Sequence, residues 1–270
     1  MCPPSIYIEN LYYSYPTFAT QLSSAPILRG IDLALGAGEC LALMGPTGAG
    51  KTTLCLALNG LVPQSTGGTF GGDVWVAGLN TKTHPVAELA TQVGLIFQDS
   101  ESQLFNMTVE EEVAFGPESL GLPVEEIEGR IRWALDVAGL AHLRTRSPAH
   151  LSGGEQRRLA IAAVLAMKPG ILVLDEPTVG LDPPGRRAVL AVMAELRSQG
   201  ITMVMATQDA DAAADLADRV VVLEGGKIVL EGTPQQVFGR VEDLNVLGVD
   251  VPQMVELSHC LGIHPPCLTV

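Results

Sequence analysis

Long apolar runs are missing from this 270-residue chain. No stretch approaches the roughly 18 uninterrupted apolar residues of a membrane-spanning helix, so none is expected. Leu159 to Met167 is among the longest runs. Basic clusters are missing too. Nothing longer than Arg157-Arg158 or Arg186-Arg187 occurs, and the formal net charge is −14. A nucleic-acid binder shows a basic face, so nucleic acid is not expected as a partner, and the negative balance reads as solubility. The start, Met1-Cys2-Pro3-Pro4, has no basic region followed by an apolar one. The expectation is therefore no signal peptide and a protein that stays in the cytosol. Cysteine is scarce and odd in number, with five, at positions 2, 40, 55, 260 and 267. That argues against a disulfide framework, and Cys40 and Cys55 read as small apolar groups in core segments. His259, Cys260, His264 and Cys267 could ligate a metal, but their spacing matches no common zinc pattern. They read as a helix end followed by a Pro265-Pro266 tail. No internal repeat is present.

What is present is a 47% apolar chain with only 17% charged residues, a balance that suits a buried parallel sheet. Ile6 to Tyr13 and Ile27 to Leu35 read as strands. Glu39 to Met44 is a short apolar strand leading into a glycine loop, and Lys51 to Leu58 then reads as a helix. Gly67-Gly68 and Gly71-Gly72 mark a loop before a strand from Asp73 to Ala77. Val93 to Phe97 is another buried strand. From Thr108 to about Ala141 the period turns helical, broken at Gly121-Leu122-Pro123, as expected of a helical subdomain inserted into an α/β core. After Gly154, Leu159, Ala162, Ala163, Ala166 and Met167 share one helical face. Strands from Ile171 to Leu174 and Ile201 to Ala206 flank a helix from Arg186 to Ser198. The alternation implies a mostly parallel sheet covered on both sides. Val220 to Leu223 and Lys227 to Leu230 read as a closing hairpin. Beyond Pro234 a tail with one helix, Pro252 to Leu261, is expected.

Three segments carry chemistry. Gly45-Pro46-Thr47-Gly48-Ala49-Gly50-Lys51-Thr52, followed by Thr53, fits the phosphate-binding loop at every fixed position. Backbone N–H groups curl around phosphates there, and the following helix points its positive end at them. Lys51 is placed to reach the β- and γ-phosphates of a nucleotide, and the Thr52 hydroxyl to ligate Mg²⁺. Asp175 and Glu176 follow four apolar residues at a strand end, where ligands meet a parallel sheet. Asp175 suits Mg²⁺, and Glu176 suits polarising an attacking water. Leu151-Ser152-Gly153-Gly154-Glu155 opens a helix, with Ser152 as N-cap and glycines that allow close approach of a phosphate.

Together these segments resemble the ATP-binding subunits of ABC transporters, over nearly the whole chain. The resemblance implies a P-loop nucleotide-hydrolase (RecA-like) α/β core with an antiparallel β subdomain and an inserted helical subdomain. The ATPase domain would cover residues 1–240, with the helical part at about 100–168, and a short C-terminal extension would cover 241–270. It further implies that the Gly45–Thr52 loop is the Walker A motif and Ile171–Asp175 the Walker B. Glu176 would be the catalytic carboxylate. Ser152, Gly153, Gly154 and Glu155 belong to the signature, which acts in trans on the ATP of a second subunit. Gln98 would be the Q-loop glutamine that senses Mg²⁺, and Asp182 the D-loop residue. Tyr15 is similar to the aromatic that stacks on adenine, its alternative being a core tyrosine beside Tyr12 and Tyr13.

Phe97-Gln98-Asp99-Ser100-Glu101-Ser102-Gln103-Leu104-Phe105 and the run from Thr108 to Glu118 narrow the resemblance to energy-coupling factor and CbiO-type importers. Leu120-Gly121-Leu122-Pro123 and Val251-Pro252-Gln253-Met254-Val255-Glu256-Leu257 point the same way. That subgroup imports vitamins or transition-metal ions. It pairs two ATPase subunits, alike or different, with a transmembrane coupling protein and a substrate-capturing membrane protein. The subunit would then sit on the cytoplasmic face of the membrane, held by its partners.

The chain departs from this family at Thr207-Gln208-Asp209, where histidine usually stands at position 208. Glutamine can donate a hydrogen bond but cannot titrate. A slow site paired with a more active partner subunit follows as an expectation. Glu155 replaces the usual glutamine of the signature and is better tolerated if it points away from phosphate. Val179 replaces a smaller residue. A soluble family member acting in DNA repair or translation would be expected to carry coiled-coil inserts or tandem domains, and neither is seen. A nucleotide kinase would lack the signature segment. A largely non-hydrolysing regulatory subunit stays open because of Gln208.

Overall fold

The computed structural model describes residues 4–16, 25–99, 101–263 and 267–268. Cys2, Ser100 and His264 therefore lie outside the described residues. The strands are β1 (Ile6–Ser14), β2 (Leu28–Leu35), β3 (Cys40–Met44), β4 (Thr69–Val76), β5 (Leu79–Asn80), β6 (Val93–Ile96), β7 (Ile171–Asp175), β8 (Thr202–Ala206), β9 (Arg219–Glu224) and β10 (Lys227–Gly232). The helices are α1 (Lys51–Leu58), α2 (Leu61–Gln64), α3 (Val86–Leu89), α4 (Val109–Ser119), α5 (Val124–Val137), α6 (Gly153–Leu165), α7 (Pro183–Ser198), α8 (Ala210–Leu216), α9 (Pro234–Phe238), α10 (Val241–Leu247) and α11 (Gln253–Cys260).

Two sheets form. A four-stranded antiparallel sheet runs β2-β1-β4-β5, and a six-stranded sheet runs β10-β9-β3-β8-β7-β6. In the second, β9, β3, β8, β7 and β6 are mutually parallel, and only β10 turns back on β9. A parallel sheet must be covered on both faces, which is why its strands are unbroken apolar runs. The alternation of side chains confirms this. Cys40, Ala42 and Met44 of β3 enter the core shared with α4, α5, α6 and α7. Leu41 and Leu43 enter a second core shared with α1 and the antiparallel sheet. In β7, Leu172 and Leu174 face the first core and Ile171 and Val173 the second. Cys40 and Cys55 are free, buried thiols, as expected.

Several elements differ from the expectation. Gly71-Gly72 lie inside β4 rather than in a loop before it. β1 bulges between Glu9 and Tyr12 against β4, and a Cβ on Gly72 (φ 78°) would lie 2.1 Å from the Asn10 carbonyl oxygen. The glycine thus admits a close backbone approach within a strand. The tail beyond Pro234 holds α9, α10 and α11, not one helix. α9 carries a capping box between Thr233 and Gln236, with Pro234 in its first turn. α8 is an additional helix, capped by Asp209, whose side chain accepts from the Ala212 N–H. α7 begins at Pro183, three residues before the expected Arg186, because Asp182 caps it.

Candidate functional site

β3 ends at Met44 and the chain turns at once into Gly45, Gly48 and Gly50, all with positive φ. At Gly45 (φ 140°) a Cβ would sit 2.2 Å from the Leu223 carbonyl oxygen, so only glycine lets the loop leave the sheet here. Gly50 stands at the N-cap of α1 and offers no side chain to the first helical N–H groups. They remain open to an anion. Lys51 is buried, and its Nζ donates to the Gly45 carbonyl at 2.6 Å and the Pro46 carbonyl at 3.2 Å. Burial lowers its pKa, opposed by the charges of Glu176 and Asp175.

A cavity of about 460 Å³ opens over this loop. Thr47, Gly48, Gly50, Lys51, Thr52 and Thr53 form its floor. Tyr15, Gln98, Glu176, Val179 and Gln208 form its walls. Tyr13, not Tyr15, is the core tyrosine. The Tyr15 hydroxyl lies 3.2 Å from Thr53 Oγ1, and its ring meets Tyr13 edge-on at 4.9 Å. Gly45, Pro46 and Ala49 back the loop without lining the cavity.

β7 delivers Asp175 and Glu176 side by side, both buried. Asp175 lies beside the Thr52 side chain, and its buried Oδ1 has no hydrogen-bond partner. Burial raises its pKa, opposed by the Thr52 side chain and by Lys51 and Arg157. Glu176 turns the corner at φ 49°, a strained value for a side-chain-bearing residue, held by its N–H on the Ala206 carbonyl at 2.8 Å. Its Oε2 accepts from the backbone N–H of Gln208 at 3.2 Å. Burial raises its pKa as well, opposed by that N–H and by Lys51. The Gln208 amide points elsewhere, its Nε2 being 3.4 Å from Thr47 Oγ1.

Ser152, Gly153, Gly154, Glu155 and Asp182 lie outside this cavity. Ser152 caps α6, and Glu155 closes a capping box back onto it, so its carboxylate is folded inward on its own turn. Asp182 caps α7 through the Gly185 N–H at 2.9 Å. Gly153 and Gly154 differ in their surroundings. A Cβ on Gly154 would lie 2.8 Å from the Gly185 Cα, whereas one on Gly153 would meet nothing nearer than Leu181 at 3.8 Å. Gly154→Ala is therefore expected to lower stability by about 1–3 kcal/mol, and Gly153→Ala to leave it unchanged. Thermal unfolding of the two variants beside wild type checks this. Equal melting points would refute the close-contact argument.

Sequence reasoning missed Arg157. From buried α6 its guanidinium donates to the Phe97 carbonyl at 2.7 Å and the Gln98 carbonyl at 2.6 Å. It missed Asp209 too, which pairs with Arg186 at 2.7 Å and accepts from the Thr178 hydroxyl at 3.2 Å, bracing the turn after Gln208. Arg157 falls three residues after Gly154, on the buried side of a helix, and that placement was the readable signal. Among the described residues no group of three or more His, Cys, Asp or Glu side chains is arranged to hold a metal, and His264 of the tail cluster lies outside them.

The family described as ABC transporter matches residues 28–179. A Pyrococcus abyssi protein described, by inference, as an ABC transporter ATP-binding protein is 49% identical over 94% of this chain and 89% of its own length. The energy-coupling factor transporter ATP-binding protein EcfA of Methanocaldococcus jannaschii is 40% identical over 94% of this chain and 88% of its own. The solved structure of CbiO1 from Clostridium perfringens, part of an ABC transporter complex, superposes with a TM-score of 0.79 at 32% identity, covering 97% of this chain and 100% of that one. A dimeric ATP-binding cassette bound to ADP and Pi superposes at 0.72 with 26% identity, covering 85% and 98%. On these likenesses the chain belongs to the ATP-binding subunits of ABC transporters and is an ATPase of that family.

Proposed function

We propose that this subunit hydrolyses ATP to power uptake of a vitamin or a transition-metal ion, as the ATPase of an energy-coupling factor or CbiO-type importer. The cavity carries this proposal: it gathers Lys51, Thr52, Glu176 and Gln208 around the uncapped start of α1. The likeness to EcfA and to CbiO1 supports the importer class. In this reading the loop N–H groups and Lys51 hold the phosphates, and Tyr15 stacks on the adenine. Thr52, Asp175 and Gln98 would hold Mg²⁺. The fit is chemical: Asp175 keeps a buried oxygen without a partner, and hydroxyl, carboxylate and amide oxygens suit a hard cation. When bound, the ion neutralises charge on the β- and γ-phosphates. Glu176 takes a proton from the attacking water, its carboxylate aimed by the Gln208 N–H.

Ser152, Gly153, Gly154, Glu155 and Asp182, being outside their own cavity, serve the ATP of a second ATPase subunit, alike or different. The 1–240 ATPase domain carries the helical part at about 100–168, and 241–270 is an extension. The surface around the exposed Phe105 and Phe115, whose rings meet edge-on at 4.9 Å, receives a transmembrane coupling protein; Phe115 lines a cavity there with Glu110, Glu111 and Glu118. A substrate-capturing membrane protein completes the assembly and chooses the cargo. Among the described residues no helix is long and apolar enough to cross a membrane, so these contacts hold the subunit on the cytoplasmic face. Co-purification from solubilised membranes, read by mass spectrometry, tests this. Recovery with both membrane partners is expected. Recovery only from the soluble fraction, without them, would favour a non-transport ABC ATPase.

A second reading, a hydrolysis-impaired member of a heterodimeric pair, is favoured by Gln208, whose amide reaches Thr47 and not Glu176. On that reading Gln208→His raises phosphate release in the assembled complex by about 100-fold, the lower end of what a positioned acid–base group contributes. Unchanged turnover would sink the idea of an impaired site.

A further inference from the structure

The capping box of α6 engages more than backbone. Glu155 Oε2 accepts from the Ser152 N–H at 2.8 Å and from the Ser152 hydroxyl at 2.8 Å. The same hydroxyl oxygen accepts from the Glu155 N–H at 3.4 Å. A serine hydroxyl has one proton, and here that proton is committed to Glu155. The Ser152 N–H and hydroxyl hold the Glu155 carboxylate below the usual range, with Arg158 and Arg146 adding to the effect. An ionised group therefore rests on the start of the helix, where an incoming anion would bind. Ser152 and Gly153 are exposed, and Gly153 has no neighbour that the fold requires it to clear. The turn is accessible from outside, but its hydroxyl donor is already occupied.

We infer that Glu155 is a positioning residue that competes with the opposing subunit's ATP for the Ser152 hydroxyl, and thereby sets how tightly two subunits close. This rests on the proposed reading in which the signature turn serves a second subunit. For the γ-phosphate to take the hydroxyl proton, Ser152 must turn away from Glu155, leaving the carboxylate with one donor instead of two. The incoming phosphate also meets a like charge one helical turn away. Glutamine at this position completes a capping box equally well but brings no charge and holds the hydroxyl less firmly. Glu155 thus stabilises the open subunit more than the closed pair.

The test is Glu155→Gln in the full chain, in the assembled ATPase pair, with Glu176→Gln added so that hydrolysis does not drain the dimer. MgATP-dependent dimerisation is measured by sedimentation, and the melting temperature of the apo chain is followed in parallel. The expected result is a dimer tighter by about five- to tenfold, with the apo melting temperature lowered by no more than about 4 °C, the cost of losing one charge at the helix start. A double-mutant cycle with Ser152→Ala should shrink that gain toward none. Equal or weaker dimerisation in Glu155→Gln overturns the inference and leaves Glu155 as a capping residue. A gain that persists in full without the Ser152 hydroxyl overturns the competition and assigns the effect to charge alone. Absence of MgATP-dependent dimers in every variant, with Glu155 intact as well, overturns the dimeric reading itself and the inference with it.

Discussion

Glu176→Gln is expected to lower ATP turnover by about 10²–10⁴-fold while leaving nucleotide affinity nearly unchanged. Glu176 lies on the cavity wall but makes its hydrogen bond with a backbone N–H, which an amide oxygen accepts equally well. The variant therefore keeps the shape and loses the base. The same carboxylate dictates a pH signature. Burial raises its pKa above the ordinary carboxylate value, and a general base works only when ionised. Wild-type turnover should fall on acidification at a pH above that of a free glutamate, and among the described residues no histidine lines the cavity to add a second limb. Single-turnover phosphate release and calorimetric ATP binding, both against pH, check this. A variant retaining more than roughly a tenth of the rate would remove Glu176 from the role of base.

Lys51→Ala should weaken ATP binding by about 10²-fold or more, as loss of one or two charge-assisted hydrogen bonds implies. The ammonium does two things. It closes the loop on itself through the Gly45 and Pro46 carbonyls, and it balances the charges of Asp175 and Glu176. Removing it leaves two buried carboxylates side by side, so the apo melting temperature should fall as well. Lys51→Arg should not rescue binding, because a planar guanidinium does not fit where a compact ammonium sits between two carbonyls. Calorimetric titration at a temperature where circular dichroism shows the variant folded separates the two effects. Affinity within threefold of wild type would contradict the phosphate role.

Much of this site was readable because its parts are local. A glycine loop between an apolar strand and a helix, and two acids after four apolar residues, each specify their own geometry. The parallel core was readable for the same reason, since β3, β7 and β8 must be apolar on both faces. What escaped was short or long-range. α8, α9 and α10 span five to seven residues, too few for a helical period to stand out. They are held by caps at Asp209 and Thr233 and by packing on the sheet. Gly71 and Gly72 look like a loop until β1 is seen bulging against them. Arg157 reaches carbonyls some sixty residues away in sequence, which no local pattern announces. The Ser152–Glu155 spacing did spell a capping box, and its meaning depended on seeing where the hydroxyl proton goes.

Gly154 and Gly185 have a mechanical consequence. The starts of α6 and α7 cross backbone against backbone there, with no side chain between to act as a cushion. Such a seam leaves no room for one helix start to slide on the other, which couples the Ser152 turn to the Asp182 turn. Arg157 fastens the exit of β6 to α6 through the Phe97 and Gln98 carbonyls. The Ser152 turn, the Asp182 turn and the exit of β6 are thereby tied to one another. In the proposed dimer, a facing subunit that seats on one of them would draw the other two with it.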